Sequence, residues 1–285
     1  MNRLFLASVG ASLVLLHLAC SPMEPVGGGG HGEHAHHASA PSSGAHAHHG
    51  SAAESTYAAK KAVFALPDVV RPGEAAPLAI QLRNHAGEVI ETFDVNHEKL
   101  MHLIVVSEDL SHFEHRHPAY DGQGTFRDEL AFPAGGRYKL FADFVPSGGG
   151  QQTIGQWIDV EGKSERRPVE PDAELVKTAD GKRIELAIAG LAPNAETMLT
   201  FTFRDAASDR PIDDLEPYLG AVGHVVMLSE DAETYLHVHP ADDAATGPEA
   251  TFRTSFPASG IYKIWGQFQH EGRLITVPFV VHIPK

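Results

Sequence analysis

The 285-residue sequence predicts an all-β protein built from two tandem antiparallel β-sandwiches. Short apolar runs rich in β-branched residues alternate with turn signals bearing glycine and proline throughout residues 61–285, a pattern typical of sandwiches. The same order of motifs occurs twice in this region, and no segment of useful length has helical periodicity. A hydrophobic fraction of 42% is sufficient for two packed cores.

Residues 1–19 have the features of an export signal. A basic start at Arg3 precedes an apolar stretch over residues 4–18, which is shorter than the roughly 20 residues of a membrane span. The sequence Leu18-Ala19-Cys20 resembles a bacterial lipobox, which implies that lipid is attached to Cys20 and that the first 19 residues are removed. By the same resemblance, Ser21 implies sorting to the outer membrane. The alternative is ordinary secretion, which leaves a lone thiol.

Residues 20–60 are predicted to be a disordered, histidine-rich tether. They consist mainly of Gly, Ala, Ser, Pro and His without apolar periodicity, so burial cannot offset the entropy of ordering. Neutral imidazole binds zinc, copper and nickel, which favours loose metal capture by this segment. The alternative is a solvated tether without ligands. Its seven histidines are His31, His34, His36, His37, His46, His48 and His49.

The two predicted sandwiches occupy residues 61–162 and 173–285, joined by a linker over residues 163–172. Turn signals such as Asp121-Gly122 divide each into short candidate strands. Both copies contain Phe-Pro-Ala followed by Gly-x-Tyr-Lys, which places Tyr138 and Tyr262 just inside a strand. This arrangement resembles the tyrosine corner of immunoglobulin-like sandwiches, so we expect a structural role for both tyrosines.

The most informative repeat is residues 100–118 against residues 223–240. Each copy reads as a β-hairpin in which one histidine is followed, after 13 and 15 residues, by a His-x-His-Pro motif. A turn centred between Glu108 and Asp109 places His102 opposite His115, and a turn centred between Glu230 and Asp231 places His224 opposite His237 in the second copy. Residues two apart on a strand share a face. We therefore expect one histidine trio on each hairpin: His102, His115 and His117, and His224, His237 and His239.

Three convergent imidazoles form a candidate transition-metal site. All-nitrogen coordination suits Cu(II), Zn(II) or Ni(II), and the absence of cysteine from both domains excludes a blue-copper centre. The alternative is that the histidines are structural and hydrogen-bonded. His97, His112 and His270 have no counterpart in the other copy and are predicted to lie on the surface.

Several function classes are disfavoured. A formal charge of −15 argues against binding to nucleic acid or to an anionic membrane surface. Nucleophile-elbow, phosphate-loop and dinucleotide motifs are missing from the sequence, so a non-enzyme is predicted. A zinc-dependent hydrolase is the less favoured third class. Its candidate bases, Glu108, Asp109, Glu230 and Asp231, are expected to form the hairpin turns instead.

The repeated segments MHLxVVSEDLxHFxHxHP and GHxVxLSED…HVHP resemble a group of uncharacterised exported bacterial two-domain proteins. These are in turn distantly similar to YtkA-like and CopC-like copper-associated domains, a resemblance that implies handling of copper. The CopC-like pattern uses an N-terminal amine–histidine site, which lipidation of Cys20 would block, so those ligands are not carried over.

Together these observations predict an exported protein, lipid-anchored in the cell envelope, that binds or buffers copper or zinc. Its expected partners are the membrane, through the lipid anchor, and metal ions. The alternative is a non-catalytic envelope interaction or adhesion module with structural histidines.

Overall fold

A computed structural model of the chain describes residues 58–164 and 166–285. The predicted signal peptide, Cys20 and the seven tether histidines lie outside the described residues. All secondary structure in the described ranges is β, and no helix there is long and apolar enough to cross a membrane. The strands of the first half are β1 Lys61–Ala65, β2 Ala75–Arg83, β3 Phe93–Asp94, β4 Met101–Ser107, β5 Phe113–Arg116, β6 Ala119–Tyr120, β7 Thr125–Ala131, β8 Gly136–Pro146 and β9 Gln152–Val160. Those of the second half are β10 Val176–Ala179, β11 Lys182–Ala189, β12 Thr197–Asp205, β13 His224–Ser229, β14 Tyr235–Val238, β15 Glu249–Thr254, β16 Gly260–His270 and β17 Arg273–Ile283.

Each half is a sandwich of two antiparallel sheets. In the first, the order β1-β2-β7-β6 faces a sheet ordered β9-β8-β4-β5, with β3 pairing with the end of β8. In the second, β10-β11-β12-β15 faces β14-β13-β16-β17. Alternating side chains fill each core, such as Leu78 and Ile80 in β2 and Phe201 and Phe203 in β12. The prediction of an all-β chain with two repeated sandwiches is confirmed.

Strand β4 is buried along its whole length, because both of its faces are covered. Met101, Leu103 and Val105 point into the core of the first sandwich. Ile104 and Val106, on the opposite face, belong to a separate apolar cluster that joins the two sandwiches. That cluster also contains Leu110, Phe141, Val226, Leu228, Ala232 and Trp265, with Phe113, Trp157, Val169 and Tyr235 packed against it. The histidine-bearing face of the hairpin is therefore an interface between sandwiches.

The interface is approximately two-fold symmetric, because equivalent residues of the two copies exchange contacts. The Nζ atom of Lys139 donates to the carbonyl oxygen of Ala232 at 2.8 Å, and Nζ of Lys263 donates to that of Leu110 at 2.8 Å. Lys263 occupies in β16 the place of Lys139 in β8. Such a reciprocal arrangement is the hallmark of the isologous interfaces found in symmetric dimers, here within a single chain.

The predicted hairpin register is wrong by two residues in both copies. His115 lies opposite Ile104, and His237 lies opposite Val226. The turn is displaced because Leu110 adopts φ of 56° and the backbone N–H of Leu110 donates to the carbonyl oxygen of Ser107. A displacement of two residues keeps every side chain on its predicted face, so each trio stays on one side of its hairpin.

The expected structural roles of the turn carboxylates and of Tyr138 agree with the structure. The Oδ1 atom of Asp109 accepts hydrogen bonds from the hydroxyl groups of Ser107 and Ser111, and Asp231 accepts one from Ser229 in the second copy. The hydroxyl group of Tyr138 donates to the carbonyl oxygen of Ala134 at 3.0 Å, the bond expected of a tyrosine corner.

A candidate metal centre between the two sandwiches

The histidines of both trios lie together in one cluster at the interface. The ring centroids of His102 and His237, from different sandwiches, are 5.2 Å apart, and those of His115 and His224 are 6.2 Å apart. The cluster also includes His97, which belongs to the turn between β3 and β4. The ring centroids of His97 and His224 are 4.8 Å apart. We call these seven residues the histidine cluster: His97, His102, His115, His117, His224, His237 and His239.

The first trio converges most closely. His102, His115 and His117 each offer one ring nitrogen, and these nitrogens lie within 4.8 Å of one another. Among the His, Cys, Asp and Glu side chains that the structure describes, no other group of three meets this distance. His102 is the second residue of β4, His115 lies in β5 and His117 directly follows β5, so two adjacent antiparallel strands position all three imidazoles.

The ring protons of His102 and His115 can be assigned from their hydrogen-bond partners. The Nε2 atom of His102 lies 3.0 Å from the carbonyl oxygen of Asn96, so Nε2 carries the proton and Nδ1 has the lone pair. The Nδ1 atom of His115 lies 2.6 Å from Oε1 of Gln267, so Nδ1 donates and Nε2 has the lone pair. The amide of Gln267 is oriented by its own Nε2, which donates to Oγ1 of Thr276. The His102 Nδ1 and His115 Nε2 atoms are 2.9 Å apart, with both lone pairs directed at each other.

The second copy repeats this arrangement. Nε2 of His224 donates to the carbonyl oxygen of Tyr218, and Nδ1 of His237 donates to Oδ2 of Asp143 at 2.9 Å. The Nδ1 atom of His224 and the Nε2 atom of His237 are therefore both lone-pair atoms, and they are 3.2 Å apart. Asp143 is fully buried. Burial raises the pKa of Asp143, while hydrogen bonds donated by Gln151 and Tyr235 oppose that rise.

Two facing lone pairs repel unless a proton or a metal ion lies between them. Burial, together with repulsion between neighbouring imidazolium charges, holds the pKa values of His115 and His237 well below the ordinary histidine value. Burial likewise lowers the pKa of His224 to about 2. A bridging proton is therefore disfavoured at neutral pH. With metal–nitrogen bonds of roughly 2.05 Å, the two separations correspond to N–metal–N angles of about 90° and about 100°, which copper and zinc accept.

The other three rings line the exposed side of the cluster. His102 and His224 are 1% exposed, whereas His97, His117 and His239 are half-buried. Nε2 of His117 and Nδ1 of His239 are buried atoms without a hydrogen-bond partner. The His239 ring stacks on the His97 ring at 4.2 Å, and His239 is not part of the close group of three nitrogens. The second copy therefore brings together two of its three histidines closely.

The expectation that His97 and His270 lie on the surface is wrong. His97 occupies a tight turn with φ of 47°, in the position that Leu219 holds in the second copy, and its ring points into the cluster. His270 is 7% exposed and lies 2.9 Å from a carboxylate oxygen of Asp214. His112 is half-buried beside Glu114.

Sequence reasoning also missed Asp143 and Gln267. The two residues occupy equivalent places in β8 and β16, next to His102 and His224 in their own sheets. Because the copies differ at this position, the repeat alone did not mark it.

Comparisons with known proteins identify the repeat. The family model described as "Domain of unknown function (DUF8832)" matches residues 57–162 and again residues 177–285. No curated protein matches.

Several solved structures match this chain at low identity and low TM-score. Two fibronectin type-III domains of chicken tenascin share 12% identity, over 78% of this chain and 98% of that one, with a TM-score of 0.22. A DUF3823 family protein from Bacteroides uniformis shares 14% identity, over 71% of this chain and 96% of that one, with a TM-score of 0.22. The D00-D0 domain of intimin shares 10% identity, over 79% and 100% of the two chains, also with a TM-score of 0.22. At these scores the likenesses carry no information on function.

Proposed function

Because the chain belongs to the DUF8832 family, which is described as a domain of unknown function, we propose a function from its own geometry: it binds copper or zinc in the histidine cluster. The first trio, His102, His115 and His117, supplies three nitrogens for one ion. His224 and His237 supply two for a second, with His239 and water as further donors.

The observation that carries this proposal is the opposition of lone pairs in both copies. A histidine pair that is only structural is normally satisfied by one nitrogen donating to the other. Here, Nε2 of His102 and Nδ1 of His115 each donate to an oxygen atom outside the pair. This leaves Nδ1 of His102 and Nε2 of His115 as two acceptors that lie 2.9 Å apart. A carbonyl, amide or carboxylate oxygen that accepts the outer proton of each ligand is the usual surrounding of metal-bound imidazole. The same arrangement at His224 and His237 supports it independently.

We place this protein in the bacterial cell envelope, anchored by lipid on Cys20. The seven tether histidines capture ions with modest affinity, and the ordered cluster holds them with higher affinity because its ligands are preorganised. Buffering or storage of an ion needs no catalytic base, so a non-enzyme remains the prediction. Copper and zinc both accept all-imidazole coordination, so the proposal includes both metals.

One structural observation favours the second candidate, a non-catalytic interaction or adhesion module. The bonds from His115 to Gln267 and from His237 to Asp143 cross the interface, so these histidines also hold the sandwiches together without an ion. Under this alternative the cluster serves only as packing.

Calorimetric titration with Cu(II) and Zn(II) distinguishes the two candidates. The test protein is the full chain with its seven tether histidines replaced by serine, so that the measured heat of binding comes from the histidine cluster and not from the tether. We expect saturable binding of two ions per chain, and binding of the ion held by the first trio falls at least tenfold in the double variant His102→Gln/His115→Gln. His112→Gln, on the opposite face of the same hairpin, is the matched control and retains full affinity. An unaltered titration in the double variant would favour the interaction module.

A further inference from the structure

The two sandwiches orient each other's ligands. His115 belongs to the first sandwich, but the oxygen that accepts its Nδ1 proton belongs to Gln267 of the second. His237 belongs to the second sandwich, but its Nδ1 proton goes to Asp143 of the first. Neither imidazole receives this orienting contact from its own sandwich.

These contacts decide which nitrogen faces the ion. A neutral imidazole carries one ring proton, and the acceptor of that proton determines the nitrogen on which the lone pair stays. With Gln267 in place, Nε2 of His115 keeps its lone pair and points at Nδ1 of His102. Without it, the proton is free to move to Nε2 and bond to His102, which removes both nitrogens from the ligand set.

We propose that Gln267 and Asp143 are positioning residues that act across the interface, so that ion binding and docking of the two sandwiches strengthen each other. This inference rests on the proposed function, because it concerns the same site. Docking supplies the orienting oxygen, and the bound ion in turn favours the docked arrangement. The two effects are equal in free energy, because linkage between binding and a conformational equilibrium is reciprocal.

Supporting contacts show that both positioning side chains are themselves held. Gln267 is 3% exposed and is tied to Thr276, and Asp143 is fully buried and accepts from Gln151 and Tyr235. Tyr235 also lies across the interface, with its ring stacked on Phe141 at 5.1 Å. Movement of one sandwich against the other would therefore displace the orienting oxygens together with the apolar contacts.

The chain carries its own reporters of docking. Its two tryptophans both lie at the interface: Trp265 stacks on Phe113, and the indole N–H of Trp157 donates to a carboxylate oxygen of Glu233 at 3.3 Å. With Zn(II), which unlike Cu(II) does not quench indole fluorescence, tryptophan emission therefore measures docking independently of metal affinity.

The test compares Gln267→Leu with Gln267→Glu in the full chain with serine in place of the tether histidines. Leucine removes the acceptor at similar volume, whereas glutamate keeps it. For the ion held by the first trio, we expect Gln267→Leu to lower Zn(II) or Cu(II) affinity about 10- to 100-fold, the usual effect of losing an outer-shell partner, and Gln267→Glu to retain it. Gln269→Leu, on the same strand but bonded to Glu216 and not to a histidine of the cluster, is the control. Saturating Zn(II) should also move the undocking transition seen in tryptophan emission to a higher urea concentration, and this shift should be smaller in Gln267→Leu.

Two results would overturn the inference while leaving the proposed function intact. One is wild-type metal affinity in Gln267→Leu. The other is an equal loss in the leucine and glutamate variants, because this would indicate a packing role for Gln267. If the chain with intact Gln267 binds no metal, the proposed function fails, and the inference fails with it.

Discussion

The ring of Trp265 in the second sandwich stacks on the ring of Phe113 in the first, with centroids 4.6 Å apart and planes inclined by 14°. The equivalent residues repeat the contact, since Tyr235 stacks on Phe141. Together with the aliphatic side chains of β4 and β13, these stacks give the interface an apolar centre. The histidine cluster is thus held beside a packed surface, which fixes the positions of its rings.

Replacing Phe113 with alanine should weaken docking. The substitution removes a stacked aromatic contact and part of the apolar burial, so we expect a loss of about 2 kcal/mol, below the 3–5 kcal/mol typical of a fully buried phenylalanine. Urea titration followed by tryptophan emission measures it. Val69→Ala, at a side chain that is 50% exposed, should change the midpoint very little. An unchanged midpoint in Phe113→Ala would contradict a packed interface.

Metal should stabilise the folded chain. An ion that binds only the folded state at 100 times its dissociation constant adds about 2.7 kcal/mol to the free energy of unfolding. We expect this gain to disappear in His102→Gln/His224→Gln and to persist in His282→Gln, at an exposed position on β17. Chelator-treated and metal-loaded samples compared by urea unfolding provide the measurement. Equal stability of the two samples would count against a metal site.

The metal-free protein should lose stability on acidification. Burial lowers the pKa of His117 to about 4 and that of His224 to about 2, whereas a histidine in the unfolded chain titrates near 6.5. Between these values the unfolded state binds more protons, so the free energy of unfolding falls as pH decreases below about 6.5. Each fully buried neutral histidine contributes up to about 1.4 kcal/mol per pH unit, and the half-exposed His117 contributes less because of solvent screening.

Urea midpoints of the metal-free chain between pH 7 and pH 5 test this expectation. His224→Gln should show a shallower decline than the wild type. A midpoint independent of pH, or one that rises on acidification, would show that the cluster is already protonated in the folded state.

The two hairpin turns provide a matched pair of carboxylates. Asp109 is 8% exposed and accepts bonds from Ser107, Ser111 and the backbone N–H of Arg167. Burial acts to raise the pKa of Asp109, but these bonds outweigh it and lower the pKa to about 2. Asp231 is exposed and accepts from Ser229 and the backbone N–H of Glu233.

We expect Asp109→Ala to cost about 2–4 kcal/mol, because buried donors lose a charged acceptor, and Asp231→Ala to cost about 1 kcal/mol. Chemical denaturation of both variants gives the comparison. Equal losses would indicate that Asp109 and the linker contact of Arg167 add nothing beyond an ordinary turn.

The fold class could be predicted from the sequence because strand alternation, turn residues and the repeat all agree. The face of the hairpin that carries each trio was also predictable. Side chains two residues apart on a strand share a face, so a register displacement of two residues leaves every side chain on its predicted face. The register itself was not, because Leu110 adopts a positive φ that a leucine rarely takes. The docking of the two sandwiches could not be predicted for a different reason. Ile104 and Val106 give the same alternating apolar pattern whether they face the core of their own sandwich or another domain.

His97 and the two residues that orient the cluster histidines could not be found by comparing the copies. His97 replaces Leu219, and Asp143 replaces Gln267, so each position lacks an identical counterpart. Their roles depend on contacts between the copies, which sequence spacing within one hairpin does not describe.

The exchange of equivalent contacts between Lys139 and Lys263 has a consequence for assembly. A surface that is complementary to its own duplicate fits a neighbouring molecule as well as it fits the other half of the same polypeptide. Only the short connection through residues 161–172 favours the intramolecular partner, by raising its effective concentration. Shortening that connection until it no longer spans the two sandwiches should therefore convert the chain into a concentration-dependent, domain-exchanged dimer, whereas cutting it should leave a complex of two fragments that dissociates on dilution.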